Sequence, residues 1–193
     1  YVLSPKDLNT IEHLDEIIDS GITSLKIEGR MKRPEYVATI VSNYRKVLDK
    51  SLDVLSDDDK KDITQIFNRE FTKGIILDDF GKRFISFDRP DNRGTVLGYV
   101  SRVDKYKVYI MLQEDVEKGD GIELSLKNGG YKGLKVPVDG KKGTILTVEK
   151  QGFIEKDSLV YKTSSQGLLK KAKSSYEDNK KLYIFDEFSR KGM

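Results

Sequence analysis

The hydrophobic pattern changes period once, at Pro90-Asp91-Asn92-Arg93-Gly94, and that change limits what the chain can fold into. Before it, apolar side chains recur at helical spacing; after it, they alternate. Leu8, Ile11, Leu14, Ile17 and Ile18 predict a helix over residues 5–19. Ser4 would cap it, Pro5 would take its first position, Asp7 would sit in the first turn and Gly21 would end it. Residues 22–27 read as a short strand, with Leu25 and Ile27 on one face and Lys26 and Glu28 on the other. Pro34 opens a second helix whose apolar face is Val37, Ile40, Val41, Tyr44, Val47 and Leu48. Ser56, followed by Asp57, Asp58 and Asp59, marks the start of a third, with Ile63, Ile66 and Phe67 on its face.

Beyond Gly94 the period is two. Val96, Gly98 and Val100 alternate with Leu97 and Tyr99, and Val108, Ile110 and Leu112 alternate with Lys107, Tyr109 and Met111. Ile122, Leu124 and Leu126 continue the pattern, and residues 134–138, 143–148 and 159–162 are further strand candidates. Gly-rich turns at 118–121, 128–130 and 139–140 separate them. Short strands at this spacing suggest a small antiparallel barrel. Residues 164–181 read as a linker or short helix, and 182–185 as one more strand.

The expected fold class is therefore α+β. Residues 1–50 would be terminal β/α elements of a larger α/β barrel, and 51–93 a helical or irregular connector. Residues 94–163 would form the small antiparallel β-barrel, and 164–193 a tail leading onward. One or two β/α units cannot close a barrel, so residues 1–50 are expected to leave apolar side chains exposed or to self-associate.

Composition narrows the chemistry. The chain has 193 residues, no cysteine and a single histidine, His13. That excludes disulfides, thiol catalysis and cysteine-held zinc or iron–sulfur clusters within it. No apolar run approaches the roughly 20 residues of a membrane span, and a cytoplasmic protein is expected. The net charge of +3 is uneven: residues 94–193 hold nineteen basic and fourteen acidic side chains, a modest bias toward polyanions. The aspartates at 57–59 lack the alternating spacing of a calcium loop. The glycine-rich 127–132 matches no phosphate loop and reads as a hairpin turn.

Two constellations carry candidate chemistry. Lys26, Glu28 and Arg30 share one face of the expected strand, at the end where α/β enzymes place reacting groups. Glu28 would act as a base or ligand holder, and Lys26 and Arg30 would bind an anion; a structural ion network at a barrel mouth would use the same residues. In the strand-rich half, Tyr99, Tyr106, Tyr109 and Tyr131 are interleaved with Lys105, Lys107, Lys132 and Lys135. Aromatics stack on bases and lysines meet phosphates, so this set could form a substrate or RNA face; tyrosines shielding a wet barrel surface would look the same.

The run from Leu3 to Asp49, "LSPKDLNTIEHLDEIIDSGITSLKIEGRMKRPEYVATIVSNYRKVLD", resembles the end of the catalytic domain of the U-32 collagenase-like peptidases. "IFNREFTKGIIL" and "FDRPDNRGTVLGYV" resemble that family's next segments. Two departures stand out: the family's upstream cysteine signature is absent, and Glu70 stands where a glycine is expected. The resemblance implies a fragment of a peptidase that takes a protein substrate such as collagen, with the β-barrel as an accessory or substrate-binding module. Its catalytic groups, and any metal, would lie upstream. The chain alone would be inactive, with no cofactor of its own. Other relatives resemble hydroxylases of RNA bases or quinones that use an iron–sulfur cluster, which would make the barrel an RNA-presenting surface. A non-catalytic binding module is the third reading.

Overall fold

The computed structural model describes residues 5–81, 84–86 and 92–177. Ser4 and the expected strand at 182–185 lie outside the described residues. The chain begins extended, not helical. Pro5 forms an isolated bridge to Ile85, and β1, Asp7–Leu8, pairs in parallel with β2, Phe71–Thr72. Proline's fixed φ suits an extended segment as well as a helix start, and here tertiary partners decide. The Lys6 and Asp7 amides donate to the carbonyls of Phe84 and Glu70, and the Asp7 carboxylate is taken by Arg69. Helix begins only at a 3-10 turn, Ile11–His13, which runs into α1, Leu14–Asp19; Gly21 follows its end at φ +85°.

Residues 22–27 form no strand. A strand's amides and carbonyls need a neighbouring ladder, and none pairs with them among the described residues. They run along α2, Pro34–Lys50, which starts with proline as expected. A Cβ on Gly29 would meet a Val37 methyl at 2.5 Å, so any larger residue there would have to displace Val37. Of the expected α2 face, Ile40 and Val47 are buried, while Val37, Val41 and Leu48 remain exposed. α3, Asp57–Ile66, carries a complete capping box: the Ser56 hydroxyl accepts from the Asp59 amide, and the Asp59 carboxylate accepts from the Ser56 amide. Ile11, Leu14, Ile40, Val47, Leu55 and Ile63 form the core of this helical layer.

From Thr95 to residue 163 there is no helix. Six strands form one antiparallel sheet: β3, Thr95–Val103; β4, Lys107–Leu112; β5, Gly121–Ser125; β6, Tyr131–Lys135; β7, Ile145–Glu149; and β8, Leu159–Ser164. Their order is β6-β5-β8-β3-β4-β7, and the sheet curls into a half-barrel. It does not close by hydrogen bonds, since β6 and β7 each have one neighbour. Pro137, which cannot donate to a ladder, stands in the cleft between them. The alternation read from sequence holds in β4 and β5, where Val108, Ile110, Ile122 and Leu124 are fully buried; in β3 it breaks, because register shifts there bury both Leu97 and Val100 and leave Val96 exposed. Each such side chain contributes about 1.5–3 kcal/mol by leaving water.

Residues expected to be a linker or short helix form α4, Gln166–Glu177, which turns back onto α2 and α3. Lys171 pairs with Asp62 at 2.6 Å, and the Tyr176 hydroxyl donates to Glu35 at 3.2 Å.

Asn68, Asn92 and Gln65 join the layers. Asn92 Oδ1 accepts from the Asn68 amide, and its Nδ2 donates to the Thr163 carbonyl. Asn68 Nδ2 donates to the Gly94 carbonyl, and Gln65 bridges Thr95 and the Lys162 carbonyl. Gly94 sits at φ +65°, where a Cβ would lie 2.1 Å from the Lys162 oxygen, so no other residue fits without moving β8.

Candidate functional site

Lys26, Glu28 and Arg30 lie on an irregular segment that forms a surface turn. Lys26 and Glu28 side chains are 87% and 65% exposed and stand 3.7 Å apart. Glu28 accepts the Arg30 amide at 2.8 Å, and the Lys32 amide closes the turn on the Gly29 carbonyl. This arrangement shapes the entry to α2 and encloses no space around the three groups.

The tyrosine–lysine set divides. Strand register puts Tyr99, Tyr109 and Tyr131 with Lys107 on the outer face of the sheet: Tyr99 faces Met111, and Tyr131 faces Ser125. Lys132 faces the buried Leu124 and belongs to the other face, exposed because β6 is an edge. Tyr106 is in the β3–β4 turn, stacked by Lys105 at 5.1 Å. Tyr109 is committed locally: its hydroxyl donates to Asp104 and Arg102 covers its ring at 3.8 Å. Hydrogen bonds from the Tyr106 and Lys107 amides hold the Asp104 carboxyl below its ordinary pKa. Tyr131 meets Tyr161 edge-on at 6.4 Å.

A cavity of about 490 Å³ opens where the start of α2, the end of α3 and the β8–α4 corner meet. Lys32, Arg33 and Lys135 are its charged residues, and no Asp or Glu lines it. Among the described residues none of the three has a carboxylate in ion-pair range. The Lys32 ammonium instead rests 2.9 Å above the centre of the Phe67 ring, with Tyr36 at 5.7 Å. Burial lowers the Lys32 pKa from its ordinary value; the Asp7 carboxylate works against this, and Arg69 adds to it. Burial, reinforced by Asp7 and Tyr44, raises the Tyr36 pKa. The far wall carries Thr163, Ser164 and Ser165.

Asp120 holds that wall in place. It is fully buried, its carboxylate accepts from the Gln166 and Glu117 amides at 2.7 and 3.0 Å, and Lys162 pairs with it at 2.8 Å. Across the sheet, Lys135 faces Gly121 and Gly121 faces Ser164, so the edge strand's cation and the α4 corner share one row.

The sequence reading counted Lys135 among the interleaved lysines but did not single out Lys32, Arg33, Phe67 or the hydroxyl corner. The one available signal was the basic pair immediately before the helix-opening Pro34. The arrangement can bind and orient an anion. Among the described residues no group of three or more His, Cys, Asp or Glu could hold a metal, and His13 is spent on a surface contact with Glu16 at 2.9 Å. No helix among them is long and apolar enough to cross a membrane.

Comparison with known proteins gives one family and two groups of relatives within it. The model of peptidase family U32 matches residues 1–84. The chain is 27% identical to a collagenase of Porphyromonas gingivalis over 97% of its own length and 51% of that protein's. It is 61% identical to tRNA hydroxylation protein P1 of Bacillus subtilis over 49 residues, 25% of the chain and 12% of that protein. It is 29% identical to a 23S rRNA 5-hydroxycytidine synthase of Escherichia coli, over 66% of the chain and 21% of that enzyme. The chain thus spans about half the length of the collagenase and less of the other two. No solved structure gave a significant match.

Proposed function

Because the chain belongs to peptidase family U32, matched over residues 1–84, we propose that it is the part of a U32 enzyme that grips an RNA substrate. The bond-making groups would come from sequence outside it. The observation that carries this reading is the cavity at the α2–β8 corner, with three cations, aromatic rings, hydroxyls and no carboxylate in its lining. A lining of one charge sign next to ring faces suits a polyanion that also carries bases. The similarity to proteins named for tRNA and rRNA hydroxylation supports the same direction. The reaction would then be hydroxylation of an RNA base. The chain has no cysteine, so its residues do not fit as ligands of an iron–sulfur cluster, and no chemical step is assigned to it.

A second reading is favoured by the collagenase match, which runs over nearly the whole chain. In it the half-barrel holds a protein substrate for a peptidase. One titration separates the two: fluorescence anisotropy of the 193-residue chain with labelled single-stranded RNA and with a labelled collagen peptide. RNA binding that weakens linearly in log affinity against log salt is expected. Retention of the collagen peptide without RNA binding would overturn the RNA reading in favour of the second.

A further inference from the structure

We infer that the α2–β8 cavity is a nucleotide site for single-stranded RNA, with Lys32, Arg33 and Lys135 taking a phosphate and Phe67 taking a base. The inference rests on the RNA reading above and specifies where and how the strand is held. Its first support is the state of the cations. Most lysines and arginines near the cavity are committed: Arg69 to Asp7, Arg93 to Glu70, Lys162 to Asp120. The three that line it are not, and they come from two segments a hundred residues apart in sequence. They share one lining that holds no Asp or Glu, so a phosphate entering it meets cationic donors and no carboxylate of that lining.

Lys32 is the second support. Its ammonium is partly desolvated and held against the Phe67 ring face, with no carboxylate among the described residues in ion-pair range. When Lys32 turns to a phosphate, that ring face becomes free for a base, and Tyr36 braces the ring edge-on at 6.2 Å. One side chain thus guards the stacking surface until the ligand's own charge draws it away. The third support is the exit. Lys135 shares the outer sheet face with Tyr131, and between them Gly133 leaves open space where a Cβ would meet nothing within 4 Å. Glu123 is on that face but does not line the cavity. The volume of about 490 Å³ suits one nucleotide unit better than a duplex.

The test uses the 193-residue chain with a labelled single-stranded RNA of about ten nucleotides and a salt series. Lys32→Gln, Arg33→Gln and Lys135→Gln are each expected to lower affinity about tenfold and the salt slope by about 0.7. Lys107→Gln and Lys132→Gln are expected to bind as the parent does. Lysine footprinting of the unaltered chain gives an answer free of any folding defect: RNA should protect Lys32 and Lys135 and leave Lys107 and Lys132 reactive. Binding by the parent with unchanged affinity in the cavity variants and no protection of Lys32 overturns the site while the RNA reading stands. No RNA binding by the parent chain overturns both. A nucleoside 5′-monophosphate that binds as tightly as the oligonucleotide overturns the strand assignment in favour of a free-nucleotide site.

Discussion

Asp120 is fully buried at the start of β5 and divides its carboxylate between the first amide of α4, the Glu117 amide of its own turn and Lys162 of β8. Removing it leaves Lys162, only 15% exposed, with no carboxylate partner. Breaking a buried pair on one side costs about 3–5 kcal/mol, so Asp120→Ala is expected to lower stability by about 3 kcal/mol in urea unfolding followed by circular dichroism. Glu70 poses the opposite balance. Its φ of +63° is where a glycine is at ease, yet its carboxylate pairs with Lys6 at 2.8 Å and with Arg93. Both pairs are lost alike in Glu70→Gly and Glu70→Ala, so they cancel between the two, whereas a side chain in this region costs about 1 kcal/mol. Glu70→Gly is therefore expected to be more stable than Glu70→Ala by about 1 kcal/mol in the same assay. Equal stability of the two would mean that backbone strain does not operate there.

At the scale of elements, α3 depends on its first turn. Ser56→Ala removes the cap and is expected to cost about 1 kcal/mol. Asp59 is pulled two ways: burial raises its pKa, but hydrogen bonds from Lys46 and Ser56 outweigh that and hold it below the ordinary 3.8. A carboxyl with a depressed folded pKa stabilises fully above its unfolded value and loses that contribution as pH falls through the folded one. Stability should thus fall on acidification below about pH 4, and Asp59→Asn should flatten that slope, read from urea midpoints across pH. Local signals of this kind made α2 and α3 legible, because Pro34 and Ser56 act through their own neighbours. The strand periods were legible in β4 and β5, where every second residue is buried, but not in β3, where register shifts bury both Leu97 and Val100. Residues 22–27 were misread because a strand exists only beside another strand. Pro5 was misread because one φ serves two conformations. Of the candidate site, Lys135 was visible only as one lysine in a row. Lys32, Arg33 and Phe67 gain meaning from a corner that brings residues 32 and 135 together, which no periodicity encodes. Asp120 was legible as a turn residue but not as the anchor of a helix.

At the scale of the whole molecule, the helical layer is unevenly covered. Ile11, Leu14 and Ile17 are buried, but Leu8 is 63% exposed, and Ile18, Ile22, Leu25, Val41 and Leu48 border an open groove of about 500 Å³. Patches of this kind draw partners, so concentration-dependent association is expected in sedimentation velocity. Val41→Lys should abolish it with little change in melting temperature, because Val41 is exposed at the groove and outside the buried core. A chain that stays monomeric throughout would show that the groove is tolerated open. The return of α4 to the first helices has a further consequence, in time rather than space. Glu35 meets Tyr176, a partner 141 positions later. On a ribosome adding about 5–20 residues per second, the start of α2 waits roughly ten seconds for the helix that closes it. The sheet cannot finish sooner, because β8 joins β5 to β3 and directly precedes α4, so the nascent chain holds an open helical layer beside a sheet that still lacks its central strand. Its exposure to proteases and chaperones is set by that delay, whatever the stability of the finished fold.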